Sequence, residues 1–144
     1  MNPSLDTLLL ELIAWLGFAR ACAHSARVQD VLLALQMDLQ RMIGPSVIPQ
    51  TGDFSSFVAG RTRWLEETRE ALECECLSRG FSELPGDTVS GAILDLLSIM
   101  TRRMSQDHQK QSQADSTVRE YLERLPAMLF TLARYEEWQA DPQR

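Results

Sequence analysis

The residues of this chain best suited to chemistry are arginines. Arg102 and Arg103 stand side by side at the end of an apolar stretch, Leu84–Arg103, and Arg124 and Arg134 lie within a second one, Tyr121–Tyr135. A guanidinium is planar and permanently charged, and its fork of donors matches carboxylate and phosphate oxygens two at a time. One chemistry for the Arg102-Arg103 pair is therefore a clamp on phosphate, such as the triphosphate of a nucleotide. The competing reading is structural: cations in the last turn of a helix offset its macrodipole. Lys110 is the sole lysine among 14 basic residues, a bias that suits bidentate anion contacts and that genome composition can also produce. Glu11 is the acid that could partner these arginines.

Other reactive types lack partners at useful spacing. Cys74 and Cys76 are two apart on a helical stretch and point to different faces. With Cys22 they make an odd set containing no CxxC pair, and neither His24 nor His108 has a Glu three residues before it, so no zinc or di-iron pattern forms. The acids Glu66, Glu67, Glu70, Glu73 and Glu75 read as a solvated helix face. Asp38 reads as a capping or surface acid, and Trp15, Trp64 and Trp138 as core or subunit-interface anchors.

The elements that must hold these residues are helices. Ser4 is a candidate N-cap for a helix with Leu5, Leu8, Leu9, Leu12, Leu16 and Ala19 at three- and four-residue steps. A second helix is expected over Val28–Ile43, with Val31, Leu32, Leu35, Leu39 and Met42 facing inward. Pro45–Gly60 is rich in Pro, Gly, Ser and Thr and reads as the longest loop. A third helix is expected over Arg61–Arg79, placing Trp64, Leu65, Thr68, Leu72 and Leu77 toward the core. Thr88 or Asp87 then caps a fourth, whose core face is read as Val89, Ala92, Ile93, Leu96, Leu97, Met100 and Met104. After the polar tract Ser105–Ser116, a fifth covers Thr117–Trp138 with Pro126 inside it, where a kink is expected.

Composition sets the class. At 144 residues, 44% hydrophobic and 24% charged, the sequence has the size and balance of one globular domain. We expect a single helical domain over 1–144 with a frayed tail from about 139. The net charge of −6 gives no basic footprint, which argues against nucleic acid as a partner. Asp6 and Glu11 interrupt the first apolar run, so it reads neither as a signal peptide nor as a membrane span, and a cytoplasmic setting is expected.

Taken together, several stretches resemble the PduO-type ATP:cob(I)alamin adenosyltransferases. Leu84-Pro85-Gly86 matches that family's LPG turn, Ser90-Gly91-Ala92 supplies the small residues after it, and Arg102-Arg103 matches the start of its RRAER motif. The family's last helix reads approximately FLNRLSDYLFTLARR; Leu122, Arg124, Leu125 and Leu129–Arg134 match it nearly in register. Leu9–Ala21 is similar to the family's VDELNSFIGLARA, and Leu35–Leu39 to its IQ-x-DLF segment. The resemblance implies an all-α five-helix bundle of the cobalamin adenosyltransferase type that assembles as a homotrimer with sites between subunits. It also implies transfer of the adenosyl group of ATP, with Mg2+, to a Co(I) corrinoid. On that reading Arg102 and Arg103 are catalytic contacts, Arg124, Arg134 and Glu11 bind nucleotide, and Phe81 meets the corrinoid in place of the family's aromatic residue, which aligns with Ser82.

The departures from the family are chemical. Its TKTGDxGxT-type phosphate loop has no expected counterpart ahead of the first helix, and the similar Gln50–Ser56 lies after helix two, so it reads as a coincidence, with a transplanted loop as the alternative. RRAER becomes Arg102–Gln106. The family's helix-four His and Arg fall on Asp95 and Ser98, its helix-one Asp and Asn on Leu10 and Ile13, and its helix-five Asn and Asp on Glu123 and Ala127. Apolar groups cannot bond phosphate or ribose. The expectation is a divergent member with impaired activity; the alternative is a non-catalytic trimeric module that binds a corrinoid, a nucleotide or a protein.

Overall fold

The computed structural model describes residues 4–43, 52–76, 85–109 and 116–140. Among them are five helices: α1 (Leu5–Cys22), α2 (Ala26–Met42), α3 (Gly52–Cys76), α4 (Val89–Gln109) and α5 (Ser116–Ala140). The all-α five-helix expectation is met, in the expected order. No helix among the described residues is long and apolar enough to cross a membrane.

Local chemistry sets the helix starts. Ser4 and Ser25 are N-caps, their hydroxyls accepting from the N–H groups of Thr7 and Val28, each at 3.3 Å. Thr88 does the same for α4, accepting from Gly91 N–H at 2.9 Å. Before it the chain turns at Gly86, whose φ of +113° favours glycine.

Packing follows the apolar periodicity in four helices. Leu9, Leu12, Leu16 and Ala19 of α1, and Val31, Leu32, Leu35, Leu39 and Met42 of α2, are buried as their spacing predicts. In α3, Leu65 and Leu72 are fully buried and Trp64 and Thr68 half-buried; Leu77 lies outside the described residues. Each such leucine contributes about 2 kcal/mol of burial. α5 lies between α3 and α4, while α1 pairs with α2 and α4. The helix runs unbroken through Pro126, whose carbonyl accepts from the Ser98 hydroxyl at 2.9 Å.

Two expectations are corrected. The loop read over Pro45–Gly60 is helical from Gly52 onward. Phe54, Phe57 and Val58 recur at helical spacing there and pack on the core, outweighing the glycines and serines around them. Gly52–Ser56 is thus the start of a helix, whatever its likeness to a phosphate loop.

The second correction concerns α4, which is rotated relative to its apolar pattern. Leu97 and Met104 are buried as expected, but Val89 is 67% and Leu96 69% exposed, with Ile99 at 54%. The inward face instead carries Ser90, Leu94, Asp95, Ser98, Thr101 and Ser105. Polar bonds explain how this face can be buried: Ser98 bonds α5, Thr101 bonds back to the Leu97 carbonyl at 2.9 Å, and Asp95 meets Arg134.

Candidate functional site

The rotation of α4 places the arginine pair on its outer side. Arg102 and Arg103 are exposed, and neither meets an acid among the described residues. Arg103 lies four residues after Ile99 and seven after Leu96, so it continues the exposed apolar stripe. Arg102 lies four after Ser98 and seven after Asp95, on the flank that borders α5. Two unpaired guanidinium groups beside an apolar surface can hold an anion carried on a larger ligand.

The other predicted residues are spread around the bundle. Arg124 leans toward α3, with Glu66 and Glu120 each at 3.8 Å and half its side chain exposed. Arg134 turns toward α4. It is buried, pairs with Asp95, lies 3.3 Å from Glu137, and stacks over the Phe130 ring at 5.2 Å. Glu11 is exposed on α1, four residues before Trp15 and seven before Phe18, which meet edge to face and are themselves exposed. Phe81 lies outside the described residues. Within one chain the structure therefore joins Arg134 to Asp95 and leaves Arg102, Arg103, Arg124 and Glu11 apart.

Buried polar groups form a second pattern. Asp38 is buried rather than a capping or surface acid: it accepts from Arg61 Nε at 2.8 Å and from the Tyr121 hydroxyl at 3.0 Å, tying α2, α3 and α5 together. Arg61 also stacks over Trp64 at 4.1 Å. Burial, then the neighbouring Asp38 charge, push the Tyr121 hydroxyl well above the ordinary phenol range. Asp38 is in phase with Leu35 and Met42, which is the signal that should have placed it inside.

The last turns of α5 carry more. Thr131 through Glu137 are all buried. Thr131 bonds Glu73 at 3.2 Å, and the Tyr135 hydroxyl donates to Glu75 at 2.9 Å, where Arg27 also pairs. Glu136 accepts from the Ser90 hydroxyl at 3.0 Å, from Ser25 N–H at 3.2 Å and from His24 N–H. Burial raises the Asp95 carboxyl above its ordinary range, although Arg134 opposes it. Sequence reading passed over Glu136, which is in phase with Leu129 and Leu132.

The described residues contain no group of three or more His, Cys, Asp or Glu able to hold a metal ion. A shallow groove between α1 and α2 is lined by Gly17, Arg20, Ala21, Gln29, Asp30 and Leu33.

A family model described as cobalamin adenosyltransferase matches residues 9–136 of this chain. No curated protein matches it.

Proposed function

The chain belongs to the cobalamin adenosyltransferase family, and from that premise we propose that it moves the adenosyl group of ATP onto a Co(I) corrinoid, releasing triphosphate. The observation that carries this reading is the exposed, unpaired Arg102-Arg103 pair at the edge of the outer α4 face. Triphosphate gains negative charge as it leaves, and two fixed guanidinium groups favour that development. Arg102 and Arg103 take this role. Arg124, whose acid contacts are long, swings to the nucleotide. Arg134 acts from beneath, through its charge and its hold on Phe130, and Glu11 and Phe81 complete the nucleotide and corrinoid sides.

Assembly as the homotrimer that the family resemblance implies is supported by the exposed apolar surface. Val89, Leu96 and Ile99 of α4, Trp15 and Phe18 of α1 and Phe130 of α5 are large apolar groups left exposed in one chain, and a second copy would cover them. A site between subunits would then gather the arginines that one chain holds apart.

A non-catalytic trimeric module is the second reading, and a particular observation favours it. Asp95 and Ser98, where the family pattern has ligand-facing residues, are used up in holding Arg134 and the Pro126 carbonyl. The two readings separate in one cuvette. Protein mixed with ATP, Mg2+ and chemically reduced cobalamin yields the adenosylcobalamin spectrum if the first holds; Co(I) left unchanged supports the module.

A further inference from the structure

We propose that Glu136 is a positioning residue that couples the first turn of α4, with the Pro85–Thr88 turn leading into it, to the N-terminus of α2, and so sets how the protein meets its corrinoid. The corrinoid half of this proposal rests on the family reading above.

Glu136 is fully buried, yet no cation contacts it among the described residues. Its charge is met by hydrogen-bond donors from two helix starts. One oxygen takes the Ser90 hydroxyl of α4 and His24 N–H; the other takes Ser25 N–H. Ser25 is itself the N-cap of α2, so this carboxylate sits at the positive end of that helix dipole. On its other side the first turn of α4 lies close against α5. A Cβ built on Gly91 would stand 3.0 Å from Glu137 Oε1 and 2.7 Å from Thr88 Oγ1. Two segments distant in sequence thus share one acceptor. A shift at either is felt by the other.

An amide cannot reproduce this tie, because its NH2 end only donates and would face N–H groups that also donate. In Glu136→Gln, amide hydrogen exchange should rise at both His24–Ser25 and Ser90–Ala92. The KM for reduced cobalamin should rise about tenfold while that for ATP holds. Ser90→Ala keeps the direct α2 contacts, and should reproduce the cobalamin effect with exchange faster at Ser90–Ala92 and, to a smaller extent, at His24–Ser25. Exchange rising at one segment alone in Glu136→Gln overturns the coupling, and cobalamin and ATP constants climbing together overturn the positioning role. If Glu136→Gln does not fold, Ser90→Ala decides, an unchanged cobalamin KM counting against the proposal. Absence of any turnover by the unsubstituted protein would sink the catalytic reading and the effect on cobalamin KM with it, while the exchange pattern still judges the tie.

Discussion

Asp95 of α4 and Arg134 of α5 form a buried ion pair across the seam between the two helices. Breaking a buried pair from one side strands a charge, which typically costs ~3 kcal/mol or more. Asp95→Ala should therefore lower unfolding stability by about 2 kcal/mol in urea, the remaining contact with Glu137 softening the loss. A change under about 0.5 kcal/mol would mean that the other contacts of Arg134, Glu137 among them, suffice for its charge.

The helix-end reading of the arginine pair does not survive, because α4 continues to Gln109, and what remains to test is ligand contact against a structural role. Arg102→Ala should weaken ATP binding about tenfold by calorimetry, the loss of one charge-assisted contact. Its thermal midpoint should hardly move, since Arg102 is exposed and lies nearly two turns before the end of α4 at Gln109, beyond the reach of the helix dipole. Lost stability with intact ATP binding would assign the pair to the fold rather than to a ligand.

Leu96 is the most exposed large apolar residue in α4. If the proposed homotrimer forms through this face, Leu96→Glu should leave the helical circular dichroism of the chain intact while dissociating that trimer. Light scattering would then fall from about three times 16.3 kDa to the single-chain mass. Retention of the larger mass would exclude this face from the interface.

Cysteine reactivity should divide sharply. Burial pushes the Cys76 thiol from its ordinary value of 9.0 up to about 11, while Cys74 is exposed. At pH 8 that upward shift leaves Cys76 about 100-fold less thiolate than an ordinary thiol. Iodoacetamide followed by mass spectrometry should label Cys74 first, and equal rates would contradict the burial. The folded state keeps this proton longer than the unfolded chain does. Its contribution to stability is therefore whole below about pH 9 and lost as pH rises toward 11.

Asp38 answers a fully buried hydroxyl and a half-buried guanidinium. Asp38→Ala should cost about 3 kcal/mol, because it leaves the Tyr121 hydroxyl without its acceptor and Arg61 without its carboxylate. Tyr121→Phe removes only one donor and should cost about 1 kcal/mol. Equal costs in a denaturation series would argue against the three-residue link.

Much of the bundle could be read from apolar spacing, because α1, α2 and α5 bury the stripes their leucines mark. The inward face of α4 could not. Val89 and Leu96 advertise a core face, and the tertiary bonds of Asp95 and Ser98 turn the helix the other way. Periodicity reports which side of a helix is apolar, and it says nothing about whether that side meets its own chain or another. The start of α3 was hidden by glycines and serines that a helix tolerates once Phe57 and Val58 are anchored. Asp38 and Glu136 were in phase with buried leucines. Their charge obscured this, since the partners that make burial affordable lie between 23 and 112 residues away in sequence. For the site, the arginines could be picked out by type, but their separation on the bundle could not.

The run Thr131–Glu137, buried on every side, carries a consequence for how this sequence can change. A surface helix survives the gain or loss of one residue by presenting a slightly different outer face. Here each position addresses a different neighbour, and one inserted residue would turn all that follow by about 100°. Thr131 would miss Glu73, Arg134 would miss Asp95, and Glu136 would miss both helix starts at once. This segment is an index that fixes the reading frame of the whole fold, so variation in length must fall outside it.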